Sequence, residues 1–231
     1  MTTSDGESQL DRILAKRAAM QAAAAARLDA RAAARIDERV AECTPYQGAV
    51  LAALAARRTT AIGDLPKAEA DYDEFGKLIQ ASERMNLAYL LSAPATTVTA
   101  EVGARLEEIL GSPDWPTENP GGSEGYFRAA AISIALLRDA WARQSPGDAR
   151  AALDHAYYSF ANQLERHLPT PSAEPLGESE TACQSADIDA VTALGEPISV
   201  EQYDELAAAP ASVALGQAYR ARVAEIIAAG R

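Results

Sequence analysis

Apolar residues along this chain recur in steps of three and four, and nowhere do they alternate over a sustained run bounded by turn signals. That spacing is the period of an amphipathic helix, so the pattern predicts an all-α fold. The clearest stripe is Phe127, Ala130, Ile134, Leu137 and Trp141, on a helix starting at Ser123 that should be central. A second stripe, Leu153, Tyr157, Phe160, Leu164 and Leu168, follows Ser145-Pro146, an N-cap with proline in the first turn. The short connection predicts that these two helices pair antiparallel.

Upstream, Thr44-Pro45 marks a helix over 45–59 carrying Val50, Leu51 and Leu54. Gly63-Asp64-Leu65-Pro66 opens another that reaches about Ser92, with Tyr72, Phe75, Ile79, Ser82, Met85 and Tyr89 on its inner face. A helix over 98–110 ends at Gly111, a suitable residue just past a helix end. In the loop that follows, Trp115 between prolines is expected to plug an edge of the core.

The two ends read differently. Residues 8–43 hold no Pro or Gly, are rich in alanine, and predict one long N-terminal helix. Its apolar stripe is thin, and Arg27, Arg31, Arg35 and Arg39 fall every four residues along it. Residues 169–184 read as a linker by their Pro, Ser and Glu content. Short helices are expected after it, near 186–194, 199–208 and 211–229. The predicted organisation is therefore a long Ala/Arg-rich helix over 1–43, a helical bundle over 44–168, a linker over 169–184, and a C-terminal helical segment over 185–231. No internal repeat stands out.

Charge narrows the functional classes. The chain has 21 Lys and Arg against 33 Asp and Glu, a net charge of −12. Residues 1–60 hold nine cations and seven acids, +2; the remainder holds twelve and twenty-six, −14. Nucleic-acid binding needs clustered cations, so it is not expected. An acidic surface suits basic partners and solubility. No apolar run approaches the roughly 20 residues that span a bilayer, and the polar, acidic start is no secretory signal, so a cytoplasmic protein without membrane association is expected. The excess of arginine over lysine, with the alanine, has the look of a GC-rich bacterial genome.

Candidate chemistry is sparse. Cys43 and Cys183 are the only cysteines, with no CxxC and no neighbouring His, so neither a zinc cluster nor a disulfide framework is predicted. Gly121-Gly122-Ser123-Glu124-Gly125 matches G-x-S-x-G, but a nucleophile elbow needs a strand before the serine, and a proline-rich loop stands there instead. Ser123 reads as an N-cap. His155 and His167 lie outside any HExxH or ExxH pattern, which leaves no metal centre to expect. Glu69, Asp71, Asp73 and Glu74 with Lys77 read as a solvated helix face held by pairs one turn apart. No catalytic residue and no cofactor is predicted.

Pro113-Asp114, Glu124-Gly125-Tyr126-Phe127, the run Ala130–Leu137, and Ala151–Glu165 with Ser159 together resemble the YjaG-like family of uncharacterised helical bacterial proteins. The resemblance implies a helical bundle and supplies no activity. The expected function is a non-enzymatic, protein-binding one: an adaptor, a regulator, or an immunity-type neutraliser of a basic partner. Arg27, Arg31, Arg35 and Arg39 are the candidate interaction residues, for a protein partner or for self-association through the N-terminal helix. One alternative is a structural assembly protein with that helix as a coiled-coil arm. Another is an enzyme or small-molecule binder with a pocket near Trp141, His155 and Tyr158.

Overall fold

A computed structural model describes residues 31–65, 72–111, 123–167 and 175–230. The regular structure among them is all helical, without a strand. Helix α1 spans Ile36–Glu42, and α2 spans Pro45–Thr59 and runs into a 3₁₀ turn, Thr60–Ile62. Then come α3, Tyr72–Leu90; α4, Thr96–Gly111; and α5, Ser123–Arg143. Helix α6, Pro146–Asp154, continues through a π-helical stretch, His155–Ala161, into α7, Asn162–His167. The chain closes with α8, Leu176–Ala193; α9, Val200–Ala207; and α10, Pro210–Ala228.

The caps act as the sequence implies. Thr44 Oγ1 accepts the Gln47 N–H at 3.1 Å, while the Gln47 side chain takes the Thr44 N–H at 3.0 Å, a reciprocal box that starts α2. Ser145 Oγ accepts the Asp148 N–H at 3.2 Å at the start of α6. Ser199 and Gln202 repeat the reciprocal box at α9.

The stripe on α5 is buried throughout, as are Leu153, Tyr157, Phe160 and Leu164. The most enclosed element, however, is α2, where every residue from Gly48 to Ala56 is buried. Its neighbours are α5, α6, α8 and α10, which surround it. Small residues permit this: a Cβ on Gly48 would stand 2.9 Å from the Ala149 Cβ, so α2 and α6 touch nearly backbone to backbone.

Three expectations change. First, residues 1–30 lie outside the described residues, and within the rest the N-terminal helix does not run unbroken to Cys43. Ala34 and Arg35 form a turn, with Arg35 at φ 52° and its N–H bonded to Ala32 O at 3.0 Å. The break lets Ile36 and Val40 enter the core, where each is 1% exposed. Second, residues 176–184 are no linker. They form the first half of α8 and bury Glu180, Thr181, Cys183 and Gln184; residues 168–174 lie outside the described residues. Third, the C-terminal helices are no appendage, since Ile188, Val191, Tyr219 and Val223 belong to the same core as α2 and α5.

The π-helical stretch widens one turn of the α6–α7 rod. It keeps Ala156, Tyr157, Phe160 and Ala161 buried while Tyr158 faces outward. Among the described residues, no helix is long and apolar enough to cross a membrane.

Candidate functional site

Three helices with different surfaces enclose a groove of about 320 Å³. Helix α2 supplies a floor of small residues, Ala53 and Ala56, and α3 adds Ile79 and Leu90. Helix α9 closes the other side with Val200, Tyr203 and Asp204. A floor of alanines lies low between taller walls, which is how an alanine-rich core helix can create a recess.

One wall is polar and tied into the core. Asn86 Oδ1 accepts the Trp141 Nε1–H at 2.9 Å. Trp141 stacks on Tyr89, centroids 5.0 Å apart and 3° between planes, and meets Tyr46 edge-on at 5.6 Å. Burial pushes the Tyr203 hydroxyl pKa up, while hydrogen bonding to Arg57 and Asn86 pulls the other way. A chain of contacts from Trp141 through Asn86 and Tyr203 to Arg57 thus fixes this wall.

The rim carries acids, apolar side chains and one exposed cation, Arg57 of α2. Glu83 and Leu87 lie four apart on α3, and Val200 and Asp204 four apart on α9. Leu87 is 42% exposed. Glu201, Asp204 and Glu205 are all exposed, and none has an ion-pair partner among the described residues. Neither His nor Cys is among the described residues that line the groove.

A second polar constellation is sealed inside. Arg58 forks onto Glu180 and also reaches Asp187 Oδ2 at 2.6 Å. The Tyr219 hydroxyl donates to Glu180 at 2.7 Å, and Gln184 Nε2 to Glu180 at 2.9 Å. Arg31 joins from the other side, donating to Gln184 Oε1 at 2.6 Å and Asp154 Oδ1 at 2.5 Å while lying over the Tyr157 ring at 4.9 Å. Burial alone would lower the Arg58 pKa, but Glu180 and Asp187 hold it well above its ordinary value. Burial raises Asp187 against the pull of Arg58, and pushes the Cys183 thiol up to about 11. These groups bind one another, and their work is to join α2, α8 and α10.

The expected residues are dispersed. Arg27 lies outside the described residues. Arg31 is buried in the network above, and Arg39 binds Ser185 and Asp189 of α8, each at 2.7 Å. Arg35 is exposed and pairs with Glu38. The acidic partner of Arg31 and Arg39 is thus the chain's own body. Trp141, His155 and Tyr158 do not line this groove. His155 Nε2 donates to Ala129 O at 2.8 Å, and Tyr158 packs edge-on against Tyr157. His167 Nδ1 lies 2.6 Å from the Tyr126 hydroxyl, and Ser123 begins α5. Glu74 of the acidic run pairs with Lys77 and Arg105; Glu69 and Asp71 lie outside the described residues.

Cys43 and Cys183 are free buried thiols. Among the described residues, no three His, Cys, Asp or Glu side chains are placed to hold a metal. The groove and the Arg58 network both escape a reading of the sequence, because each joins residues more than a hundred positions apart. No family model, no curated protein and no solved structure is matched by the chain.

Proposed function

We propose that this protein is a non-enzymatic binder of a basic partner protein, acting as an adaptor, regulator or neutraliser. The observation that carries the reading is the exposed acid on α9. Glu201, Asp204 and Glu205 stand exposed beside a groove, without ion-pair partners among the described residues. Elsewhere the cations are largely taken up by the chain itself: Arg31, Arg39, Arg58, Arg105, Arg150 and Arg220 each bind a carboxylate of the same chain. The residual field is negative, in line with the net charge of −12, and such a field draws and orients cationic partners.

Fluorescence anisotropy with labelled oligolysine and oligoglutamate peptides tests the sign of that preference. Oligolysine should bind, and weaken as salt rises. Reversing the three α9 acids (Glu201→Lys, Asp204→Lys, Glu205→Lys) should weaken it at least tenfold. Equal affinity for the two peptides, or none for oligolysine, contradicts the reading.

A further inference from the structure

We infer that the groove between α2, α3 and α9 is the docking site for a basic amphipathic helix of the partner protein. Apolar side chains of that helix would rest on Leu87 and Val200, and its cations against Glu83 and Asp204. The sign of the partner's charge rests on the proposed function; the site and mode of binding rest on the groove.

Both walls carry the same alternation. On α3, Glu83 is followed one turn later by Leu87. On α9, Val200 is followed one turn later by Asp204. Residues four apart share a helix face, so each wall presents acid and apolar surface along its length. A helix with apolar residues at three- and four-residue steps and Lys or Arg beside them matches that surface, and laying such a face into a groove is a recurrent mode of recognition.

The groove is small. The groove, at about 320 Å³, sits at the low end of the roughly 300–1,000 Å³ of small-molecule pockets. Leu87, 42% exposed, sets an apolar side chain in the groove within one turn of the acid Glu83. A second copy of this chain is disfavoured as the occupant, because two negative rims would face each other.

The test uses the full chain and two 18-residue probes of equal Leu and Lys content. In one, Leu falls at i, i+3, i+4 and i+7; in the other the order is shuffled. Leu87→Asp makes the surface more acidic, so it strengthens binding that is electrostatic only, yet it removes the apolar anchor. Val213→Asp makes the same change at another exposed apolar residue, outside the groove. The patterned probe should bind wild type more tightly than the shuffled one. Leu87→Asp should weaken it at least tenfold, and Val213→Asp should not weaken it. Leu87→Gln, which adds no charge, should also weaken it, and stands in if the aspartate variant melts early.

If Leu87→Asp binds as well as Val213→Asp, or better than wild type, the groove is not the site, and the reading of a basic partner stands without it. If neither probe binds wild type, that reading fails and the inference with it. A dimer in sedimentation that Leu87→Asp abolishes assigns the face to a second copy and overturns the proposal.

Discussion

Arg58 and Glu180 form a two-pronged ion pair from which water is excluded. Arg58 Nη2 lies 2.8 Å from Oε1 and Nε 3.2 Å from Oε2, with the side chains 1% and 0% exposed. The pair ties the C-terminal end of α2 to the first half of α8, across a stretch whose composition reads as linker. Desolvating two charges costs much of what their attraction returns, so the pair specifies which surfaces meet more than it adds net stability.

Removing one partner should therefore be far worse than removing both. Arg58→Met and Glu180→Leu should each cost about 3–5 kcal/mol in chemical denaturation, and the double variant much less than their sum. Additive losses would show that the two charges do not depend on each other.

Truncation tests the N-terminal region. Deleting residues 1–42 removes Ile36 and Val40 from the core and strips Arg31 from Asp154 and Gln184. Losses of this type run to about 2–5 kcal/mol per large buried side chain, so the thermal midpoint should fall sharply. Deleting residues 1–30 alone keeps these contacts, so its midpoint should lie well above that of the 1–42 deletion. Equal midpoints for the two truncations would contradict the packing of α1.

Trp141→Ala should cost about 3–5 kcal/mol, since it opens a cavity and leaves Asn86 Oδ1 without its donor. It should also loosen the groove wall, so probe binding should fall with stability. A cost under about 1 kcal/mol would show that the stacking on Tyr89 is dispensable.

His155 gives a pH dependence. Its burial favours the neutral ring and lowers its pKa below 6.5, against the hydrogen bond to Ala129 O, which acts upward. A basic group with a depressed folded pKa contributes stability above its unfolded pKa and loses it as pH falls through the folded value. Denaturation midpoints should therefore fall as pH drops below about 6.5. His155→Gln, which keeps a donor for Ala129 O, should flatten that part of the profile; an unchanged slope would assign it to other groups.

The sequence predicts helices well here because their signals are local. Thr44-Pro45, Ser145-Pro146 and the 3,4 spacing from Phe127 to Trp141 act within a few residues. Burial around α2 is less legible, because alanine contributes little to an apolar stripe while allowing neighbours to approach on every side. Residues 176–184 mislead for a related reason: Glu178, Ser179, Glu180 and Thr181 look solvated until Arg58 and Tyr219 arrive from distant positions to satisfy Glu180. The same applies to Arg31, where periodicity suggests an outward stripe and the turn at Arg35 leaves it facing Asp154 and Gln184. The groove is built by tertiary packing alone, and no local pattern announces it.

The central claim is that the groove receives a basic amphipathic helix, and amide chemical-shift mapping during titration with the patterned Leu/Lys probe tests it most directly. The account predicts saturable shifts concentrated on residues 79–90 of α3 and 200–207 of α9, with little change at the exposed acids Glu107 and Glu108 of α4. Shifts spread over the acidic surface, Glu107 and Glu108 included, would contradict it.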